Sequence, residues 1–329
     1  MSEPWAAPLA CAPRAPVSAD GVVAYGTYQG LTGPIDWSPL RRATGRRAGS
    51  WKRWHYIAVA GPDAVAAAAV VDLGWTSSAF AYLFDRRRRA LAADHSALGL
   101  PRRTARVSDR PGAGATTTFD GRRTRVRLER GDGGAWRLSV SAPGLVLDAL
   151  AAEAPDGATL CAIAPVPGGI VDCTHKTPRL RVLQGRAVAD DVQLDLAGCS
   201  AAIDHTSGLL ARETEWHWAS ACGPGVALNL TQGFTAPAEN ALWVGGRIER
   251  IGPVSFAYDR TRPEDPWRIM SADGAVDLTF TPEGRRREDR NLVLAVSRYV
   301  QPIGTFAGCC GGQRFDGLVG VTEHHLARW

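Results

Sequence analysis

Lysine is nearly absent. Of the 38 basic residues only Lys52 and Lys176 are lysine, and the other 36 are arginine. With so many alanines and glycines, this reflects a GC-rich genome more than selection for phosphate binding. No apolar run approaches the ~20 residues that cross a bilayer. The longest, Val65 to Leu73, reads as a buried strand. The first seventeen residues are broken by prolines and Arg14 and hold no apolar signal-peptide core, so a cytoplasmic protein is expected. The cysteines, Cys11, Cys161, Cys173, Cys199, Cys222, Cys309 and Cys310, form no Cys-x-x-Cys pair. That excludes the usual signatures of a zinc ribbon or a thioredoxin-like centre. Adjacent Cys309 and Cys310 are poorly placed to bridge, because neighbouring Cβ vectors diverge. All seven are expected to be reduced. A Walker A loop, a Gly-x-Gly-x-x-Gly helix opening, a His-Glu-x-x-His pair and a Gly-x-Ser-x-Gly elbow are all missing. Their absence disfavours nucleotide-driven and common hydrolase chemistry, and no cofactor is expected.

What is present is an ordinary folding composition: 329 residues, 45% hydrophobic and 22% charged, enough to bury a sizeable core. The length suits two domains or one large all-β unit. The net charge of +5 is uneven, with 21 basic against 12 acidic groups in residues 1–150 and 17 against 21 in residues 151–329. Basic clusters at Arg41-Arg42, Arg46-Arg47, Lys52-Arg53, Arg86 to Arg89 and Arg122 to Arg127 could attract anionic ligands, nucleic acid or a membrane surface. Aromatics interleave with them around Tyr25 to Trp37 and Ser50 to Tyr56, where they could stack bases or floor a barrel. Without an RNA-binding motif or a basic helix, a solvated surface is the expected reading, and no nucleic-acid partner is expected.

Short runs of period two, cut by glycine and proline, fill the chain. Strands are expected over Val22 to Tyr28, Trp54 to Ala60, Ala64 to Leu73, Trp75 to Phe84, Thr124 to Glu129 and Trp136 to Val140. More follow between Leu145 and Gln184. The second half adds Thr214 to Ala221, Val226 to Phe234, Ala241 to Ile248, Val254 to Tyr258, Trp267 to Met270, Val276 to Phe280, Leu292 to Val300 and Leu318 to Thr322. The one credible helix lies near Arg86 to Ala97. Strands at this spacing build sandwiches or up-and-down barrels. The stretch Gly185 to Asp191 is the best division, giving a tail (1–20), a first β-domain (21–187) and a second (188–329).

The densest polar and aromatic stretch runs from Ala202 to Phe234. Asp204 and His205 follow an apolar run, where a carboxyl beside an apolar wall can hold its proton near neutral pH. Trp216 and Trp218 share one strand face, with His217 on the other. Two indoles could line an apolar cavity and stabilise a passing cation; equally, Asp204 could cap a turn and the tryptophans fill core. Glu239 and Asn240 stand directly before the strand bearing Trp243. Glu323-His324-His325, with His55 and His217, would make a metal site only by convergence. On a strand, His324 and His325 face apart, so no metal is expected there.

Several ordered segments carry a resemblance to a bacterial family known as domain of unknown function 2804. They are Tyr25-Gly26-Thr27-Tyr28, Gly33-Pro34-Ile35-Asp36-Trp37, Lys52-Arg53-Trp54-His55-Tyr56, and Asp204-His205 through Trp216-His217-Trp218-Ala219. Leu228-Asn229-Leu230 with Gly233-Phe234, Glu239-Asn240 to Trp243, Gln301 to Gly308 and Glu323-His324 to Trp329 complete the set. Asp-His followed by Trp-x-Trp is also similar to the AttH-like and carotenoid-hydratase-like group, although Thr206-Ser207 stand where those relatives tend to carry Glu-Trp. This resemblance implies an all-β fold of two lipocalin-like antiparallel barrels or half-open sandwiches packed together, with very little helix. It further implies an apolar or amphipathic small-molecule ligand in a Trp-lined barrel cavity, held by Trp54, His55, Trp216, Trp218, Asn229, Glu239, Asn240, Trp243, Glu323 and His324. Acid-catalysed hydration, cyclisation or isomerisation would then use Asp204 as proton donor, with His205 setting its protonation. A non-catalytic carrier, or a basic-faced protein acting on nucleic acid or an anionic membrane, remain the alternatives.

Overall fold

Alternating apolar residues between tight turns can bury only one face of a strand, so such runs pair edge to edge and stack face to face. The computed structural model of the chain does this throughout residues 8–44, 51–131, 133–155, 157–291 and 296–328, which are the residues described. Residues 1–7 of the expected tail, the first four of the expected strand Leu292 to Val300, and Ser50, Asp132, Asp156 and Trp329 lie outside them.

Among the described residues a first sheet holds fifteen strands. It opens with β1 (Ala10–Cys11), β2 (Gly26–Gln29), β3 (Trp51–Ala60), β4 (Ala64–Asp72), β5 (Ser77–Asp85) and β6 (Ala90–Gly99). It continues through β7 (Ala105–Arg106), β8 (Thr116–Asp120), β9 (Arg125–Arg130), β10 (Trp136–Ala142) and β11 (Leu145–Glu153). It ends with β12 (Leu160–Pro165), β13 (Val171–Ala189), β14 (Val192–Asp195) and β15 (Ser200–Leu209). The second sheet holds nine: β16 (Glu213–Gly223), β17 (Val226–Gly233), β18 (Ala241–Val244), β19 (Arg247–Arg250), β20 (Val254–Ala257), β21 (Trp267–Ser271), β22 (Val276–Asn291), β23 (Val296–Cys310) and β24 (Gln313–Arg328). Among the described residues one short helix, α1 (Ser38–Thr44), accompanies the strands. The sheets form a nearly closed barrel and a half-barrel, the two-barrel fold expected.

Most neighbours in each sheet are hairpin partners. Three pairings join strands about a hundred residues apart or more, β2 with β12 and the two that follow. β15 inserts between β3 and β13, and β24 returns to pair with β16. The insertion of β15 fixes the site, because its register sets Asp204 opposite Tyr56 on one side and Lys176 on the other.

Apolar cores occupy separate spaces. Ile57, Ala66, Leu83, Trp136 and Leu147 fill the inside of the first sheet. Leu228, Trp267, Phe280 and Phe306 fill the second. A third cluster, with Tyr56, Ala67, Phe84, Trp218, Trp243 and Ile303, lies between the sheets and joins them.

Several expectations need correction. Arg86 to Ala97 is not helical: Arg86–Arg89 make the turn between β5 and β6, with Arg89 at φ 52°. Acidic partners hold that basic turn, Arg86 on Glu283, Arg87 on Asp63 and Arg88 on Asp191. Hairpin pairing of β6 with β5 thus overrides the helix propensity of an alanine-rich segment. Ala241 to Ile248 is not one strand but a hairpin of β18 and β19, turned at Gly245 (φ 55°) and Gly246 (φ 74°). The expected domain division at 187/188 falls inside β13, and the chain passes from one sheet to the other between Leu209 and Glu213.

Close packing sets one test of the register. A Cβ at Gly304 would stand 2.1 Å from the Thr281 carbonyl oxygen, beside the β22 bulge at Pro282/Gly284. Backbone cannot swing aside as a side chain can. Gly304→Ala is expected to lower stability by roughly 1–3 kcal/mol in urea denaturation; an unchanged midpoint would contradict this register.

Candidate functional site

Period two along β15 sends Asp204 and Thr206 to the face that meets the second sheet, and His205 to the barrel interior. The same rule on β3 turns Trp54 and Tyr56 toward the second sheet and His55 inward. Between the sheets these residues meet Trp216 and Trp218 of β16, Glu239, Tyr299 of β23 and Glu323 and His325 of β24. Together they line a cavity of about 200 Å³. It lies between the sheets, not within a barrel as expected, because the interior of each sheet is filled by its own core.

One wall is aromatic. Trp54 and Trp216 lie parallel with ring centres 6.5 Å apart, and Phe234 packs against both. His325 packs tilted against Trp216, with ring centres 4.4 Å apart. Tyr56 meets Trp218 edge-on at 5.6 Å.

The other wall is charged and centred on Lys176 of β13. Its ammonium lies 2.8 Å from Asp204 Oδ2 and 2.8 Å from Glu239 Oε2. Burial alone would lower the Lys176 pKa; the two carboxylates outweigh it and raise it. Asp204 Oδ1 also accepts hydrogen bonds from the Thr174 and Thr206 hydroxyls, each at 3.1 Å. Asp204 therefore meets donors only and acts as an acceptor in each of these contacts. The Thr235 hydroxyl donates to Glu239 Oε1.

Asp172, two strand positions before Thr174, is fully buried in the same wall, and neither carboxyl oxygen has a hydrogen-bond partner. Burial pushes its pKa well above the usual carboxylate range; Glu239 and Asp204 add to the rise and Lys176 opposes it. Glu323 faces this wall. Burial raises its pKa to about 7, against the hydrogen bonds that Trp216 Nε1 (2.9 Å) and Gln301 Nε2 (3.0 Å) donate to it. The cavity thus holds carboxyls of two kinds: burial favours the protonated forms of Asp172 and Glu323, whereas Asp204 and Glu239 are paired with Lys176.

Of the expected site residues, the structure brings together Asp204, Trp54, Trp216, Trp218, Glu239 and Glu323. Asn229 supports them, accepting the Trp218 indole N–H at 2.8 Å and donating to the Glu239 carbonyl at 2.9 Å. Asn240 ties its loop to β17 and to the next loop, accepting from the Thr231 amide and donating to the Gly252 carbonyl. Trp243 is core and donates to the Ala158 carbonyl across the sheet boundary.

His205, His55 and His324 do not reach the cavity. His205 stacks edge-on with His55 at 5.0 Å on the opposite face, so it cannot set the protonation of Asp204 by direct contact. His324 stacks on His217 at 4.3 Å, also on the far side of its sheet, and its neighbour His325 faces inward instead. The sequence reading missed Lys176, Asp172, Tyr56, Tyr299 and His325. Lys176 had a signal: it is one of two lysines in an arginine-rich chain. Its compact ammonium is a point charge set between two carboxylates.

Two sheets joined face to face, with a titratable aromatic cavity at the joint, define a two-barrel, lipocalin-like protein. The chain belongs to the family described as Domain of unknown function (DUF2804), whose profile matches residues 13–329. Two solved structures share the fold. A protein provisionally assigned as AttH from Nitrosomonas europaea superposes with a TM-score of 0.59 at 16% identity, over 83% of this chain and 91% of its own. Kievitone hydratase from Nectria haematococca superposes at 0.54 and 12% identity, over 84% and 88%. A comparison with curated proteins gives no match.

Proposed function

We propose that this protein binds a small apolar or amphipathic molecule in the inter-sheet cavity and moves a proton on it. Addition or loss of water, cyclisation and isomerisation are the reactions this would serve. In this reading Asp204, oriented by Lys176 and two threonine hydroxyls, accepts the proton. Asp172 and Glu323, held in their neutral forms by burial, are the donors. Trp54, Trp216 and Trp218 bind the apolar body and shield positive charge developing on it. The observation that carries the proposal is the facing of proton-retaining and lysine-bound carboxyls across one aromatic cavity. The hydratase name of one structural neighbour is consistent with it, but at 12% identity that likeness concerns the fold.

The experiment recovers the molecule bound by the purified protein and returns it to the protein in isotopically labelled water. Label should enter at carbon or as hydroxyl oxygen with the native chain. Asp204→Asn should keep the molecule bound and reduce labelling at least about a hundredfold, the lower range for removal of a general acid or base. Equal labelling by Asp204→Asn would contradict its role. Binding without labelling by the native chain would favour a carrier, which the mutual satisfaction of Lys176, Asp204 and Glu239 would also allow.

A further inference from the structure

The face of β12, β13, β15 and β3 turned away from the cavity carries a second set of chemistry-bearing groups. In register, Cys161 faces His175, His175 faces His205, and His205 faces His55, one row across four adjacent strands. Cys173, two residues before His175, projects to the same face. All five side chains are sealed from solvent.

Each imidazole is held by one nitrogen. His205 Nε2 donates to the Ser108 carbonyl at 2.8 Å, which leaves Nδ1 a bare lone pair. His55 Nδ1 lies 2.9 Å from the Thr117 hydroxyl. His175 Nε2 lies 3.2 Å from the Thr32 amide and 3.3 Å from its hydroxyl. The remaining nitrogen of every ring, His55 Nε2, His175 Nδ1 and His205 Nδ1, is buried with no hydrogen-bond partner. Leaving such an atom buried and bare is costly, and three in a row call for an occupant. Water would serve an imidazole but gains little from thiols. The Cys161 and Cys173 sulfurs and a ring nitrogen of His175 all lie within 4.8 Å of one another. Three ligands of one ion, at about 2.0–2.3 Å from it, stand roughly 3.3–4.0 Å apart in tetrahedral or trigonal geometry. Side-chain adjustment of up to about an ångström closes the gap.

We propose that Cys161, Cys173 and His175 form a buried site for a thiophilic metal ion, zinc or copper(I). Two sulfurs and an imidazole are the donor set both ions favour. Thr32 accommodates either tautomer of His175. Its amide donates to a bare Nε2, and its hydroxyl, which itself donates to the Gly33 carbonyl, accepts from a protonated one. The second arrangement frees Nδ1 for the ion. Copper(I) is satisfied by three ligands. Zinc takes a fourth, for which His205, its ring centre 6.0 Å from that of His175, is the nearest candidate in the row. β13 alternates between the two sites, Cys173 and His175 toward the ion and Asp172, Thr174 and Lys176 toward the cavity. The ion thereby braces the cavity wall from behind.

The full chain, stripped of metal by a chelator under anaerobic conditions, is titrated separately with zinc, copper(I) and cobalt(II). The expected result is one ion per chain by native mass spectrometry, a rise in melting temperature, and thiolate-to-cobalt charge transfer in the near ultraviolet. Cys161→Ser and Cys173→Ser should each weaken binding by more than about tenfold, while Cys309→Ser should not. Retention of zinc alone or of copper(I) alone supports the site and identifies its ion. The cobalt spectrum of the unsubstituted protein decides the matter even if the serine variants misfold. No retained ion and no charge transfer, or charge transfer that survives in a folded Cys161→Ser/Cys173→Ser protein, would overturn the proposal. So would a Cys161–Cys173 disulfide in protein purified anaerobically.

Discussion

Lys176→Met should destabilise the protein by roughly 3–5 kcal/mol, the range for removing one partner of a buried ion pair. The methionine keeps most of the stem, so lost packing contributes little. What changes is charge: Asp204 and Glu239 stand 2.8 Å from the ammonium and are both buried. Without it, two buried carboxylates face one another, with Asp172 close by. They must then take up protons or draw the sheets apart. Denaturant midpoints near neutral pH measure the loss. Adding Asp204→Asn and Glu239→Gln to Lys176→Met should recover much of it, because a neutral hydrogen-bonded trio no longer has buried charge to compensate. A triple variant no more stable than Lys176→Met would show that packing, not charge, holds this wall.

The second large effect is a dependence of stability on pH that belongs to Glu323. Its pKa is about 7 in the folded protein against an ordinary 4.5. The native state therefore keeps a proton that the unfolded chain has already released, and stability falls as pH rises through that window. The loss reaches about 3 kcal/mol above the folded pKa, since a tenfold change in proton affinity is worth ~1.4 kcal/mol. Buried histidines act in the opposite sense. His205 and His325 are lowered by burial to about 4 and about 3, so their contribution to stability grows as pH rises toward 6.5. The comparison of native chain with Glu323→Gln isolates the glutamate from them. Between about pH 5 and about pH 8 the native chain should lose stability relative to the variant. Parallel curves would mean that Glu323 is ionised throughout.

The fold was legible because half-buried strands advertise themselves. β3, β5, β9, β10 and β16 alternate or carry aromatic runs, and glycine marks their ends. The helix α1 was missed because it is only seven residues long and buries one of them, Leu40, too little to set up a period. The site was legible only in part. Asp204, Trp216 and Trp218 stood out because aromatic and acidic residues at spacing two declare a shared face. His205 and His55 were drawn in by their neighbours in sequence, yet adjacent strand residues face opposite ways. That His324 and His325 diverge could be read; which one faces the cavity depends on the pairing of His325 with Trp216 across β16 and β24. Asp172 and Lys176 lie on a strand whose residues 171–178 are all buried, so polar and apolar positions no longer mark its two faces.

Placement of the ligand between the sheets is the central claim, and one measurement addresses it directly. Native mass spectrometry compares the purified protein with Val71→Trp, each exposed to the same organic extract. Val71 lines the cavity beside Trp54 and Ser78, and an indole there would fill it. The native chain should carry one apolar molecule per chain and the folded variant none. Equal loading of the two proteins would place the ligand elsewhere, and failure of the native chain to take up any molecule would contradict the cavity's role.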